Sequence, residues 1–211
     1  MTSPSRPPCG AEELLAVLGN IDIYVLDQIM RGRITPDMRI LDAGCGGGRN
    51  SEYLMRCGAH VFGVDADPQN VDRIRAVAAR VAPDLPRESF GAAQVEALPF
   101  PDDYFGAVIC SAVLHFARDE EHFEAMVGEM WRVLSPGGVF FARLASTIGL
   151  EAHVVPISGR RHHIPDGSDR FLVDEAYLKT ITEELGGEWL DPLKTTNVQN
   201  LRAMSTWVLQ K

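Results

Sequence analysis

Between Arg39 and Ala145 the chain switches repeatedly between short apolar runs and stretches of helical spacing, and this alternation limits what it can fold into. "RILDAG" reads as a strand, "RNSEYLMRC" as a helix ended by Gly58, and "HVFGVDA" as a second strand. "DPQNVDRIRAVAARVAP" opens with Asp67 at an N-cap and Pro68 at the first helical position, and its spacing buries Val71, Ile74, Val77, Ala78 and Val81. A third strand is expected in "ESFGAAQV", a fourth in "GAVICSAVLHF" and a fifth in "GVFFARLA". Ahead of the fifth, Asp119 to Leu134 carries Phe123, Met126, Val127, Met130 and Leu134 on one side of a helix. Strands separated by helices of this length predict an α/β fold, a parallel sheet covered on both faces. Such sheets bind ligands beyond the carboxyl ends of their strands, near the point where strand order reverses.

At that edge stands "LDAGCGGGR", Leu41 to Arg49, with Gly44, Gly46, Gly47 and Gly48 directly after a buried strand. Glycine is kept where backbone must take a positive φ or come close to another group, so a ligand is expected against this loop. A dinucleotide is one option: Gly44-x-Gly46 follows a strand, and Asp65 lies about twenty residues on. The third glycine of that fingerprint would fall at Arg49, and a bulky side chain there suits neither a pyrophosphate nor close helix–strand packing.

Composition narrows the field. The 211 residues suit one domain with decorations, and 45% hydrophobic with 23% charged residues is ordinary for a globular chain. No apolar run is long enough to cross a bilayer, and "MTSPSRPPCG" lacks the apolar core of a signal peptide, so a loose tail and a cytoplasmic address are expected, with no membrane partner. Cys9, Cys45, Cys57 and Cys110 have no metal-like spacing and read as reduced thiols. A net charge of -9 argues against nucleic acid as a partner, since phosphate-backbone affinity needs clustered Lys and Arg.

Four segments in order carry a resemblance. "ILDAGCGGGR", "VFGVDADP", "VEALPFPDDYFGAVICSAVLHF" and "MWRVLSPGGVFFA" resemble the motifs of the class I S-adenosylmethionine-dependent methyltransferases of the small, stand-alone kind. The resemblance implies a doubly wound, Rossmann-like, seven-stranded sheet, mostly parallel, with the last strand, "STWVLQK", inserted antiparallel. It implies S-adenosylmethionine as cofactor and a small-molecule methyl acceptor. The amino-acid portion would lie over the loop of Gly44, Cys45, Gly46 and Arg49. Asp65, followed by Ala66, would accept from both ribose hydroxyls. Asp42 would order the loop or meet the ligand's ammonium, unless it only caps nearby backbone. Gln94, Val95 and Glu96 would border the adenine, with Gln94 standing where the family commonly has Asp. Ser111 would follow the fourth strand, and His115 would stand near the reacting methyl, either as a general base or as a packing residue.

The remaining segments are expected to serve the acceptor. Residues 1–33 read as a helical extension broken at Gly19-Asn20, in which Asp22 and Tyr24 either close the cleft, with Tyr24 a candidate catalytic group, or belong to an amphipathic helix packed by Ile21, Val25 and Ile29 with Asp22 solvated. Residues 34–144 form the cofactor core. Residues 145–172 show no sustained period and read as a lid loop, whose Arg160, Arg161, His162 and His163 could hold an anionic acceptor or simply be solvated. His153, His162, His163, Asp166 and Asp169 lack a metal-ligand spacing, so no metal is expected. Residues 173–211 give a helix from the N-cap Asp174 to Leu185 and two strands, "EWLDPLKTT" and "RAMSTWVLQK". An enzyme methylating a small molecule is the leading expectation. A non-catalytic sensor or scaffold that binds the same cofactor is the alternative, and a dehydrogenase comes third. Oligomeric state is open.

Overall fold

The computed structural model describes residues 10–211; the expected N-terminal tail and Cys9 lie outside the described residues. The elements are α1 (Ala11–Leu18), α2 (Ile23–Met30), β1 (Arg39–Ala43), α3 (Glu52–Arg56), β2 (His60–Asp65), α4 (Pro68–Val81), β3 (Phe90–Ala92), β4 (Phe105–Ser111), α5 (Glu120–Val133) and β5 (Leu134–Ala145). They are followed by β6 (Val155–Ser158), β7 (Arg161–His163), β8 (Asp169–Phe171), α6 (Glu175–Leu185), β9 (Glu188–Trp189), β10 (Lys194–Val198) and β11 (Arg202–Gln210).

Strand periodicity explains the layers. Ile40, Val61, Ala107, Ile109, Val139 and Phe141 fall into one buried cluster, and their neighbours Leu41, Val108, Cys110, Phe140 and Ala142 into the other. Alternate residues point to opposite faces of a strand, so both faces of this sheet are buried. Val25 of α2, Leu54 and Met55 of α3, and Val71, Ile74 and Ala78 of α4 cover the first face. Phe123, Met126, Val127 and Met130 of α5 and Leu178 and Ile181 of α6 cover the second. Each such side chain removed from water contributes about 1.5–3 kcal/mol. Val77 and Val81, expected inside, are half-buried at the edge of α4.

The sheet runs β3-β2-β1-β4-β5-β11-β10, parallel from β3 to β5, with β11 antiparallel to both of its neighbours. Strand order reverses between β1 and β4. The two-residue β9 pairs with the foot of β11 outside that run and makes the sheet eight-stranded, one more than expected. The reason lies in "EWLDPLKTT". Pro192 has no backbone donor for a ladder, and the Asp191 carboxylate turns inward to Gln28 and Arg33, so one expected strand becomes β9, a loop and β10.

The segment expected as a loop is instead a three-stranded antiparallel sheet, β6-β7-β8. All four residues of β6 are exposed, so it has no inside–outside alternation to read. Helix ends follow local chemistry more closely: the Asp67, Asp119 and Asp174 carboxylates accept from backbone amides at the starts of α4, α5 and α6. Among the described residues no helix is long and apolar enough to cross a membrane, and Cys45, Cys57 and Cys110 are free thiols.

Candidate functional site

Where β1 ends, the chain turns over glycines before entering α3. Gly44 has φ 78° and Gly46 has φ 53°, a region that side-chain-bearing residues rarely adopt. A Cβ on Gly44 would run into the Val113 side chain, whereas one on Gly46 would meet nothing within 4 Å. So Gly44 is needed by the protein's own packing, and Gly46 leaves an open face. The amides of Gly44 and Cys45 both donate to the Val64 carbonyl, at 2.8 and 2.9 Å, which ties the loop to β2. Burial holds the Cys45 thiol neutral.

Two carboxylates support this turn. At the end of β2, Asp65 Oδ2 accepts from the Gly46 amide at 2.8 Å, and Oδ1 accepts from the Asp67 amide at 2.9 Å and Asn70 Nδ2 at 3.1 Å. It thereby joins the glycine loop to the start of α4. Asp42 is buried beneath the loop and accepts from Ser51 Oγ at 2.6 Å, so it meets a hydroxyl and not the backbone cap considered from sequence. Burial pushes its carboxyl up to about 6, with the Ser51 hydrogen bond opposing and the Asp65 charge adding to the rise.

Two cavities open from this edge and share Gly44, Ser111 and Ala112. The β2-side cavity, about 430 Å³, is lined by Asp65, Ala66, Gln94, Val95 and Glu96 among the predicted residues. The β5-side cavity, about 470 Å³, is lined by Cys45, Gly46, Arg49 and His115. Every predicted cofactor residue except Asp42 therefore lines one cavity or the other. At their junction Ala112 holds φ 64° and donates its amide to the Arg143 carbonyl at 2.7 Å, a strained position fixed by its neighbour strand. A larger open hollow of about 660 Å³ lies around Trp189 and Pro192, and none of the predicted site residues lines it.

His115 sits in the short turn after β4, 7% exposed, with its Nδ1 buried and without a hydrogen-bond partner. Burial, then the Arg170 guanidinium, push the imidazole down to about 4, with Asp166 opposing. It is neutral at physiological pH. His122, not anticipated from sequence, lines the β2-side cavity and places Nε2 3.0 Å from Glu96 Oε1.

Other expected residues are placed elsewhere. Tyr24 lines neither cavity: its hydroxyl meets Thr196 Oγ1 at 2.6 Å, and the Arg143 guanidinium lies 5.3 Å from its ring. Arg160 pairs with Asp174 at 2.9 Å and lies over Tyr177, Arg161 donates to the Ala117 carbonyl, His162 Nδ1 meets the Arg160 carbonyl, and His163 meets Asp169. These four hold the small sheet together and to the body of the protein, and none lines the cleft. The cleft instead receives Arg143, Arg170 and Arg202. Arg143 interrupts the apolar "VFFARLA", a conflict visible in the sequence; Arg170 and Arg202 give no local signal. Asp22 is buried, not solvated, and binds Arg143 and Arg49 at 2.9 and 3.1 Å. Among the described residues no group of three or more His, Cys, Asp or Glu comes together as a metal site.

Residues 41–142 match the family described as "Methyltransferase domain". An uncharacterised methyltransferase of Synechocystis is 33% identical over 107 residues, 51% of this chain and 47% of the relative. A ubiquinone biosynthesis O-methyltransferase of Mesorhizobium japonicum is 30% identical over 203 residues, 89% of this chain and 77% of the relative. The chain belongs to the class I S-adenosylmethionine-dependent methyltransferase family. Its fold agrees with that of a solved S-adenosylmethionine-dependent methyltransferase from Methanosarcina mazei, with TM-score 0.70, 22% identity and 87% and 96% of the two chains covered. The chain spans about half the length of the first of these relatives. Within this methyltransferase fold the glycine loop, Asp65 and the junction at Ser111 all stand at the carboxyl edge, where strand order reverses between β1 and β4.

Proposed function

We propose that the chain moves the methyl group of S-adenosylmethionine to a small-molecule acceptor by in-line displacement. One observation carries the reading: the two cavities meet at Gly44, Ser111 and Ala112, with a strand-end carboxylate in one and a neutral imidazole in the other. The methyl would sit at that junction. The Mesorhizobium relative, by its name, methylates oxygen on a biosynthetic small molecule, and the net charge of -9 speaks against nucleic acid as acceptor. The exposed free thiol of Cys57 is at home in a reducing compartment, so we place the protein in the cytoplasm.

The residues present fit the cofactor. A carboxylate has about four acceptor positions, and Asp65 uses three of them on Gly46, Asp67 and Asn70. Two ribose hydroxyls would fill the fourth and displace Asn70, whose contact is the longest and whose side chain borders the same cavity. The open face of Gly46 leaves room for the amino-acid portion, with Asp42 below to favour its ammonium. Gln94 offers a side-chain carbonyl, and Val95 a backbone amide, to the adenine. Ser111 Oγ is buried, unpartnered and adjacent to both cavities, a group left for a ligand to satisfy.

When bound, the cofactor supplies a methyl on a cationic sulfur whose departure needs no proton. The chain's task is then to align the acceptor and exclude water, effects that together supply on the order of 7–11 kcal/mol in well-oriented systems. The neutral His115 imidazole, which lines the β5-side cavity, accepts a hydrogen bond from the acceptor's O–H or N–H and takes that proton as the new bond forms. With a pKa of about 4 it is a weak base at neutral pH, so orientation is its larger contribution.

The test is S-adenosylhomocysteine formation with a panel of hydroxyl- and amine-bearing acceptors. Acceptor-dependent product that Asp65→Ala abolishes and His115→Ala diminishes is the expected result. Tight cofactor binding with no acceptor-dependent turnover across the panel would leave the sensor or scaffold reading standing instead.

A further inference from the structure

The β5-side cavity differs in charge from the rest of the molecule. In a chain of net charge -9, its lining carries four arginines, Arg49, Arg143, Arg170 and Arg202, against one carboxylate, Asp166. Several arginines elsewhere are matched by acidic partners, as Arg132 is by Glu129 and Asp102, and Arg33 by Asp191. Those facing this cavity have not been matched to the same degree.

Arg49 and Arg143 share the single buried carboxylate of Asp22, and Arg143 Nε is buried with no partner. Arg49 directly follows the glycine turn, so this pair stands where the one carboxylate of the cofactor would arrive. That leaves Arg170 and Arg202. Arg170 donates to the carbonyl of its neighbour Asp169 at 2.8 Å and lies 4.9 Å from the Phe116 ring, but makes no ion pair among the described residues. Arg202, at the start of β11, has an exposed side chain with no hydrogen-bond or ion-pair partner among the described residues. Its strand position is set by pairing with Val198 in the hairpin that overhangs the carboxyl edge. Between these cations the wall is apolar, made by Ala145, Ile164, Val198 and Met204.

We propose that the methyl acceptor is a small carboxylic acid with an apolar body, its carboxylate held by Arg170 and Arg202 and its nucleophile turned toward His115. This rests on the methyltransferase reading and names the substrate class of its acceptor site. An apolar body fills the Ala145–Met204 wall, and a carboxylate matches the planar fork of a guanidinium that a neutral group of the same shape leaves unsatisfied. The same cations would also lengthen the residence of an anion at the mouth of an otherwise acidic protein, and salt would weaken the effect.

The experiment uses matched probes: hydroxybenzoates, each against the hydroxybenzamide of the same substitution pattern, titrated into the full chain saturated with S-adenosylhomocysteine and assayed for turnover with S-adenosylmethionine. At least one acid should bind or react at least tenfold better than its amide. Arg170→Gln and Arg202→Gln should each reduce that preference several-fold while S-adenosylhomocysteine affinity stays within about twofold; Arg202 is exposed, so its replacement leaves the core intact. Amides equal to acids, or an acid preference untouched by both substitutions, would overturn the proposal, as would no binding of any acid to a protein that does bind S-adenosylhomocysteine. Failure to bind S-adenosylhomocysteine at all would instead remove the methyltransferase reading beneath it.

Discussion

The two cavities at the carboxyl edge are similar in size, about 430 and 470 Å³, yet are built in opposite ways. The β2-side cavity draws its walls from residues 44–126, takes two carboxylates, Asp65 and Glu96, and is braced by short local hydrogen bonds such as Asp65 to the Gly46 and Asp67 amides. The β5-side cavity gathers residues from the glycine loop, the ends of β4 and β5, the β7–β8 turn and the β10–β11 hairpin, and four arginines face it. The first is assembled within one contiguous stretch, residues 44–126, from the successive ends of β1 to β4 and the start of α5. The second exists only after distant strand ends have been brought together. We take this to mean that the β2-side cavity and the glycine-loop end of the β5-side cavity serve the part of the reaction common to the family, and the far wall of the β5-side cavity, with Arg170 and Arg202, the part that differs among its members.

The largest expected effect breaks the boundary between them. Gly44→Ala adds a Cβ at φ 78° and against Val113, and should weaken S-adenosylhomocysteine binding by two orders of magnitude or more. Adding Val113→Ala should recover part of the loss, because only the collision is relieved; full recovery would mean that backbone conformation at Gly44 has no role.

Next comes a separation of the halves. His115→Ala should lower turnover on the order of tenfold or more and leave cofactor affinity within about twofold. At saturating cofactor and acceptor, turnover should show no limb from His115 between pH 8 and 5, since its lowered pKa of about 4 keeps the imidazole neutral throughout. A limb with a midpoint near 6.5, removed by His115→Gln, would contradict the burial and charge argument.

A smaller effect lies in Asp42. Its raised pKa of about 6 means the carboxylate is ionised at pH 7.5 and only about a tenth ionised at pH 5, so S-adenosylhomocysteine should bind several-fold more weakly at the lower pH. Asp42→Asn should flatten that dependence. The sign for stability is the reverse: a folded pKa raised above 3.8 makes ionised Asp42 a cost that is relieved as pH falls through 6, so Asp42→Asn should raise the melting temperature at pH 7.5 more than at pH 5. The smallest effect belongs to Arg160. Its pairing with partly exposed Asp174 predicts that Arg160→Ala costs less than about 1 kcal/mol of stability and leaves kcat/KM within about twofold; a large loss of kcat/KM would return the small sheet to the acceptor site.

The same contrast explains what could be read from the sequence. Gly44, Gly46 and Asp65 are legible because each sits at or just beyond the end of a strand that the apolar runs mark, while the 94–96 segment is reached only through the resemblance. The strands up to β5 follow from apolar runs buried on both faces, whereas the topology of the sheet is carried by the resemblance. The β6–β8 sheet was missed because β6 is exposed on every residue, though Pro165-Asp166-Gly167 is a turn signal of the kind that joins hairpin strands. The split of the expected strand at Asp191-Pro192 needed a long-range fact, the pull of Gln28 and Arg33 on Asp191. Arg160, Arg161, His162 and His163 attracted notice by being adjacent in sequence, yet neighbours along a strand point to opposite faces, and these four are held by other partners. The cleft's arginines are far apart in sequence: Arg49 is expected from the resemblance, Arg143 leaves a signal as a charge inside an apolar strand, and Arg170 and Arg202 leave none.

The most direct test of the account is calorimetric titration of the purified chain with S-adenosylhomocysteine, with NADH as comparator and Asp65→Ala as control. Micromolar binding of S-adenosylhomocysteine, no binding of NADH, and a loss on the order of tenfold or more in a folded Asp65→Ala protein are the predicted results. No binding to a folded, ligand-free protein, or an affinity that Asp65→Ala leaves unchanged, would contradict the placement of the cofactor on which the rest depends.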